Sequence, residues 1–182
     1  MTFTAEEATT LTLKQNESIA PHKLLKSTDG VNWVKWENPS TNGISLNTGE
    51  SVYIKADEDA LTRTATSTST YNYFSSTGKI NCIGDIRSIL NKVVAPGDYI
   101  YWFLRLFYNC KSLTKAPELP AKNLATSCYY WMFNGCTSLT TAPELPATTL
   151  AVDCYDGMFS NCTSLTIAPE LQATTLARYC YY

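Results

Sequence analysis

Residues 133–158 read FNGCTSLTTAPELPATTLAVDCYDGM, and this unit of 26 residues occurs three times in the second half of the chain. Repeat 1 begins at Phe107, repeat 2 at Phe133, and repeat 3 at Phe159 and ends at Tyr182. The repeats share leucine and cysteine columns: Leu113, Leu139 and Leu165; Cys110, Cys136 and Cys162; Cys128, Cys154 and Cys180. A unit this short cannot bury its apolar side chains alone, so the columns predict that the repeats stack.

Within a repeat, apolar side chains recur at a spacing of four residues. In repeat 2, Leu150, Cys154 and Met158 form one row, and a second row runs beside it. Two adjacent rows predict the apolar stripe of an α-helix of about three turns. Residues that tolerate a left-handed backbone are expected to end each helix: Asn109, Gly135 and Asn161. With a short strand at 138–141 and a bend at Pro143 and Pro146, one repeat is expected to be a strand, a bend and a helix.

The string C-x-x-L-x-x-A-P-x-L-P-x-x-x-L-x-x-x-C-Y-x-x-M-F in residues 107–182 resembles the BspA-like leucine-rich repeats of bacterial surface proteins. The resemblance implies an α/β solenoid, with short parallel strands on one face and helices on the other. The chain departs from the family at Ala116, Ala142 and Ala168, where a larger aliphatic residue is usual. Residues 80–106 keep part of the spacing and are predicted to be an atypical turn that caps the solenoid.

Residues 1–79 have a different pattern, in which short β-rich runs alternate with turn residues. The run KLLKSTDGVNWVKW at 23–36 predicts a hairpin around Asp29 and Gly30. About five or six such strands indicate a small antiparallel β-sandwich. The predicted fold class is therefore mixed α and β, with a β-sandwich domain at 1–79 followed by a leucine-rich-repeat-like α/β solenoid at 80–182.

Charge and hydropathy exclude several classes of partner. The formal net charge is -2 and the pI is about 5.4, whereas nucleic acids and anionic membranes attract basic surfaces. No apolar run approaches the roughly 18 residues of a membrane span. The N-terminal MTFTAEEATT lacks signal-peptide features, so either the protein is not secreted or Met1 replaces a removed signal. The resemblance favours the second case and a cell-surface or extracellular location, with a phage virion as the alternative.

Residues that usually carry catalysis are scarce. His22 is the single histidine and has no partner pattern around it. Six of the seven cysteines occupy repeated positions and no C-x-x-C occurs, which favours buried thiols over nucleophiles or a zinc site. A column formed by Glu118, Glu144 and Glu170 suggests oxygen ligands for a divalent cation, but solvated carboxylates are the simpler interpretation. We therefore expect no enzyme activity, no cofactor and no metal ion.

Positions that differ between repeats mark the candidate binding surface. Lys115, Thr141 and Ile167 follow the same Leu-Thr step, and Tyr130 and Trp131 stand where repeat 2 has Asp-Gly. Solenoids bind partners through such extended faces, and aromatic residues dominate binding hot spots. The expected function is non-enzymatic binding or adhesion, to a protein or glycan ligand on another cell as the resemblance implies. A phage tail adhesin and a structural display spacer are the alternatives.

The last repeat keeps its apolar residues, among them Leu171 and Leu176, and is followed by no polar capping segment. Repeat proteins need a polar outer face at each end of the stack. We therefore expect a fragment of a longer array or an end that another molecule covers, with end-to-end self-contact through the uncapped turn as one form of that cover.

Overall fold

The computed structural model describes residues 1–16, 23–57, 67, 69–90 and 101–182. Within these residues there are nine strands: β1 (Thr2–Ala5), β2 (Thr9–Asn16), β3 (Leu24–Ser27), β4 (Val34–Lys35), β5 (Ile44–Leu46), β6 (Ser51–Ala56), β7 (Tyr71–Ser76), β8 (Ile80–Ile83) and β9 (Leu113–Lys115). A short 3₁₀ helix spans Ile86–Ile89. The chain is thus nearly all β and turn over the part that the structure describes.

The strands form two sheets. The larger sheet has the order β4-β3-β6-β1-β8-β9, and the smaller has the order β5-β2-β7. All pairs are antiparallel except β8 with β9, which are parallel. Alternate residues of β2 and β6 are buried, Leu11 and Leu13 on one strand and Val52 and Ile54 on the other, as the two-residue period of a strand requires.

The predicted hairpin at residues 23–36 is confirmed. β3 and β4 pair antiparallel with Leu25 opposite Lys35. In the loop, Asp29 Oδ1 accepts hydrogen bonds from the amides of Val31 and Asn32, both at 2.8 Å. Hydrogen bonds from Asn32 are the main cause that lowers the pKa of the Asp29 carboxyl. The carboxylate therefore serves as the backbone partner that this tight turn lacks.

One hydrophobic core joins the sheets to the repeats. Phe74 of β7 packs on Phe3 of β1, with ring centroids 4.9 Å apart. Phe107 lies 5.5 Å from Phe74, Phe133 5.4 Å from Phe107, and Phe159 5.8 Å from Phe133. The larger sheet also crosses residue 79, because β8 and β9 extend it beyond β1. The domain boundary at residue 79 stays a prediction, and the core is continuous across it.

The predicted fold class is wrong, because the described residues contain no α-helix. The segments expected to be helical instead carry a positive φ at every fourth residue: Tyr101, Arg105, Asn109, Ser127, Trp131, Gly135, Asp153, Gly157 and Asn161. An α-helix needs uninterrupted negative φ. The α/β solenoid, with helices on one face, is therefore replaced by two β-sheets and a series of hydrogen-bonded turns. The residues expected to end a helix do have the left-handed backbone, but they belong to this series.

Backbone hydrogen bonds explain how the turns replace the helices. The amides of Phe103 and Phe107 donate to the next repeat, at Cys128 O (3.0 Å) and Met132 O (2.9 Å). The amide of Leu106 instead donates within its own turn, to Phe103 O at 3.2 Å. Alternate amides thus bond across repeats, where an α-helix would satisfy each amide internally. These turns repeat every four residues and keep the same side chains inward, so the sequence rows fit both structures.

The three repeats lie side by side in register, as the columns predict. Isolated parallel bridges join equivalent residues: Lys115 to Thr141, Asn123 to Thr149, and Leu145 to Leu171. Leu113 and Leu139 are fully buried, whereas Leu165 is half-buried. Of the predicted capping turn at 80–106, residues 91–100 lie outside the described residues, as does His22.

Candidate functional site

The first predicted surface lies along the proline bends. Lys115 and Thr141 are exposed and face each other across a bridge, and Ile167 is 78% exposed. A groove of about 1010 Å³ runs beside them, which we call the bend groove. Its lining includes these residues: Lys115, Glu118, Pro120, Thr141, Glu144 and Pro146. A second groove, of about 550 Å³, shares Pro143 and Glu144 with it and continues toward repeat 3.

The glutamate column borders the bend groove without forming a metal centre. Glu118, Glu144 and Glu170 are all exposed, so water solvates the carboxylates. Glu6 reaches the groove from the N-terminal part, where its Oε1 accepts a hydrogen bond from Thr114 Oγ1 at 2.7 Å. Across the described residues, no group of three or more His, Cys, Asp or Glu side chains has a geometry that could hold a metal ion.

The second predicted surface is an aromatic cluster around a cation. The Arg105 guanidinium lies 4.8 Å from the ring centroids of both Tyr71 and Trp131, 5.3 Å from Tyr108 and 5.8 Å from Tyr130. We call these five residues the aromatic platform. Tyr130 and Trp131 were expected to be fully outside, but both are half-buried, and so are Arg105 and Tyr108. Cation–π contact stabilises such an arrangement by about 0.5–2 kcal/mol.

Backbone conformation brings these side chains together. Trp131 has φ +53° and Arg105 has φ +55°, so each departs from an extended or helical path. The rings of Tyr130 and Trp131 are parallel within 1°, with centroids 5.5 Å apart, although the residues are neighbours in sequence. A side chain with a β-carbon holds this left-handed conformation at a cost of about 1–2 kcal/mol relative to glycine. Arg105 and Trp131 are therefore expensive choices for their positions.

Two carboxylates balance the charge of Arg105. Burial is the main cause that raises the pKa of the Tyr130 hydroxyl, and the nearby charges of Asp156 and Asp153 add to it. Burial also raises the pKa of the Asp156 carboxyl, while a hydrogen bond with the Trp131 side chain opposes that shift. The platform thus combines donors, acceptors and aromatic rings.

A pocket of about 540 Å³ opens beside Trp131, over repeat 3, and we call it the repeat-3 pocket. Asp156, Gly157 and Ser160 line it together with Trp131. A β-carbon at Gly157 would overlap the Trp131 indole, so the glycine makes room for the ring. Tyr155 also lines the pocket, is 3% exposed, and has a hydroxyl without a hydrogen-bond partner among the described residues.

The cysteines serve packing, as their columns predict. All seven are buried free thiols. Cys136 Sγ donates to Phe107 O and Cys162 Sγ donates to Phe133 O, both at 3.1 Å. Burial raises the pKa of Cys154 and Cys162 to about 11, so these thiols are protonated at neutral pH. Since the thiolate is the reactive form, this environment disfavours nucleophilic chemistry.

Arg105 and Tyr71 are the platform residues that the sequence did not single out. Arg105 precedes repeat 1, at the position equivalent to Trp131 and Gly157. Extending the 26-residue period upstream was the available signal for it. Tyr71 lies on β7, far away in sequence, and no periodicity connects it with the repeats.

Comparison of the chain with protein-family models, with curated proteins and with solved structures finds no match to any of them. Among the residues that the structure describes, no helix has the length and hydropathy to cross a membrane.

Proposed function

We propose that this protein is a non-enzymatic binding protein that presents its repeat surface to a protein or glycan ligand at a cell surface. One observation carries the proposal: residues that are identical between repeats form the core, while residues that differ lie outside. Leu113 and Leu139 are fully buried, yet Lys115, Thr141 and Ile167, two positions further on, are exposed. Repeat proteins with a constant scaffold and a varied face use that face to bind partners.

Two further features support binding over catalysis. The raised pKa of Cys154 and Cys162 keeps these thiols protonated, which leaves the repeated cysteines without nucleophilic character. Tyr, Trp and Arg, which make up the aromatic platform, are the residue types that contribute most to binding energy at interfaces. The BspA-like motif supports a location at the cell surface, and that resemblance rests on the side-chain columns.

The test compares the chain with a variant whose three repeats carry the same surface. Lys115→Thr and Ile167→Thr give every repeat the residue found at Thr141, and Tyr130→Asp with Trp131→Gly give repeat 1 the residues of repeat 2. Because each new residue already occupies the equivalent position in this chain, we expect the variant to fold. Val34→Thr, at a β4 position that is 58% exposed, is the control.

Binding is measured on a glycan array and on a panel of cells. The proposal expects the unaltered chain and the Val34→Thr control to bind, and the uniform-repeat variant to lose binding by tenfold or more. A chain that binds nothing in either assay is a structural spacer. A ligand that the uniform-repeat variant holds with full affinity would place binding outside the repeats. Either result overturns the proposal.

A further inference from the structure

Trp131 occupies a position that the scaffold fills more cheaply with glycine. The equivalent residue of repeat 2 is Gly157, which adopts the same left-handed backbone with φ +56°. Glycine takes this conformation without strain, whereas tryptophan does not. The repeat turn therefore forms without the indole, and folding alone does not account for Trp131.

The space beside Trp131 is also particular to repeat 3. Tyr108 of repeat 1 stacks on Trp131, with centroids 6.1 Å apart. The residue equivalent to Tyr108 in repeat 3 is Ser160, which is exposed and lines the repeat-3 pocket. A small residue at this position, with glycine at 157, leaves about 540 Å³ next to the indole. This volume lies within the range of about 300–1,000 Å³ that is usual for small-molecule sites.

Polar groups of the pocket suit a ligand rich in hydroxyls. Asp156 offers a carboxylate and Ser160 offers a hydroxyl, and both residues line the pocket. The buried Tyr155 hydroxyl lacks a partner among the described residues, although buried polar groups are normally hydrogen-bonded. A ligand hydroxyl can donate to the carboxylate and exchange hydrogen bonds with either protein hydroxyl.

Charge distribution favours a neutral ligand. Asp153 and Asp156 act on one side of Tyr130, and Arg105 acts on it with the opposite sign. A ligand of either charge would meet a like charge together with an opposite one. A neutral ring with an apolar C–H face and hydroxyl edges meets no repulsion, and weak C–H contacts with an aromatic ring add to its binding.

We propose that the repeat-3 pocket binds a neutral saccharide against Trp131. This inference rests on the binding function proposed above and deepens it, because it selects glycan over protein as the ligand and names the place where it binds. The saccharide stacks on the indole and exchanges hydrogen bonds with Asp156, Ser160 and the Tyr155 hydroxyl.

The probes are four neutral trisaccharides: maltotriose, cellotriose, chitotriose and mannotriose. Each is titrated into the full chain by isothermal calorimetry, with saturation-transfer NMR to detect weak binding. Trp131→Gly removes the stacking surface by installing the residue of repeat 2. Ser160→Tyr fills the pocket by installing the residue of repeat 1, and it leaves the platform intact. Ile167→Thr alters only the bend surface and is the control.

The proposal expects at least one trisaccharide to bind, with affinity lowered tenfold or more by both Trp131→Gly and Ser160→Tyr and unchanged by Ile167→Thr. Thermal melting checks that each variant is folded, and Ser160→Tyr decides the outcome if Trp131→Gly is not. Unchanged affinity in the folded variants, or no binding of any of the four probes, overturns the inference. A protein ligand found in the cell panel alongside that failure would leave the binding function standing, whereas an empty panel would overturn both.

Discussion

Gly157 is the residue whose replacement tests the packing of one repeat on the next most simply. It has φ +56°, and a β-carbon there would overlap the Trp131 indole. Gly49 has φ +84°, and a β-carbon there would meet no atom within 4 Å, so this position reports the backbone strain alone. The two glycines therefore separate strain from steric overlap.

We expect Gly49→Ala to lower the free energy of unfolding by about 1 kcal/mol, because alanine resists the left-handed conformation. Gly157→Ala should lower it by about 1–3 kcal/mol more, since overlap with Trp131 adds to the strain. Urea denaturation of both variants measures the difference. Combining Gly157→Ala with Trp131→Gly should recover the overlap part. Equal losses for the two alanine variants would show that Trp131 does not lie over Gly157.

At the scale of the element, the leucine column tests the stacking of the repeats. Leu139 is 0% exposed, between repeats 1 and 3, whereas Leu165 is half-buried. Leu139→Ala should destabilise the chain by about 2–5 kcal/mol, as is usual for a cavity in a core, and Leu165→Ala by less. Ile167→Ala, at a residue 78% exposed, should change the free energy of unfolding by no more than about 0.5 kcal/mol.

Chemical denaturation of the three variants gives this order directly. If Leu165→Ala is as damaging as Leu139→Ala, the two leucines are equally enclosed and the arrangement of repeat 3 is different. If Ile167→Ala is also damaging, the varied face belongs to the core and the proposed binding surface loses its basis.

The apolar rows were read correctly from the sequence, but the element that they form was not. Leu150, Cys154 and Met158 are four residues apart, and at 3.6 residues per turn such a row drifts by about 40° at each step. A turn that repeats every four residues has no drift. The Asn or Gly at Asn109, Gly135 and Asn161 indicated only the last left-handed position of each series. Trp131 and Asp153 gave no such sign, because those residue types rarely adopt positive φ.

At the scale of the whole molecule, local signals predicted local structure and failed for distant contacts. The hairpin at Asp29 followed from a turn between two apolar runs, and the register of the repeats followed from their period. The parallel pairing of β8 with β9 joins segments that no pattern relates. The contact of Arg105 with Tyr71 likewise brings a repeat-like turn against β7. Tertiary packing decides both, so the aromatic platform could be predicted only in part.

The central claim is that turns with a left-handed residue at every fourth position join the repeats through their backbones and hold the varied residues outward. The sign of φ at Ser127, Trp131 and Asp153, obtained by NMR from backbone chemical shifts and amide–Hα couplings, tests it most directly. The structure has φ of +55°, +53° and +55° at these residues, so we expect positive φ at all three. Uninterrupted negative φ with helical shifts across residues 124–134 and 150–160 would contradict the account and restore the helices.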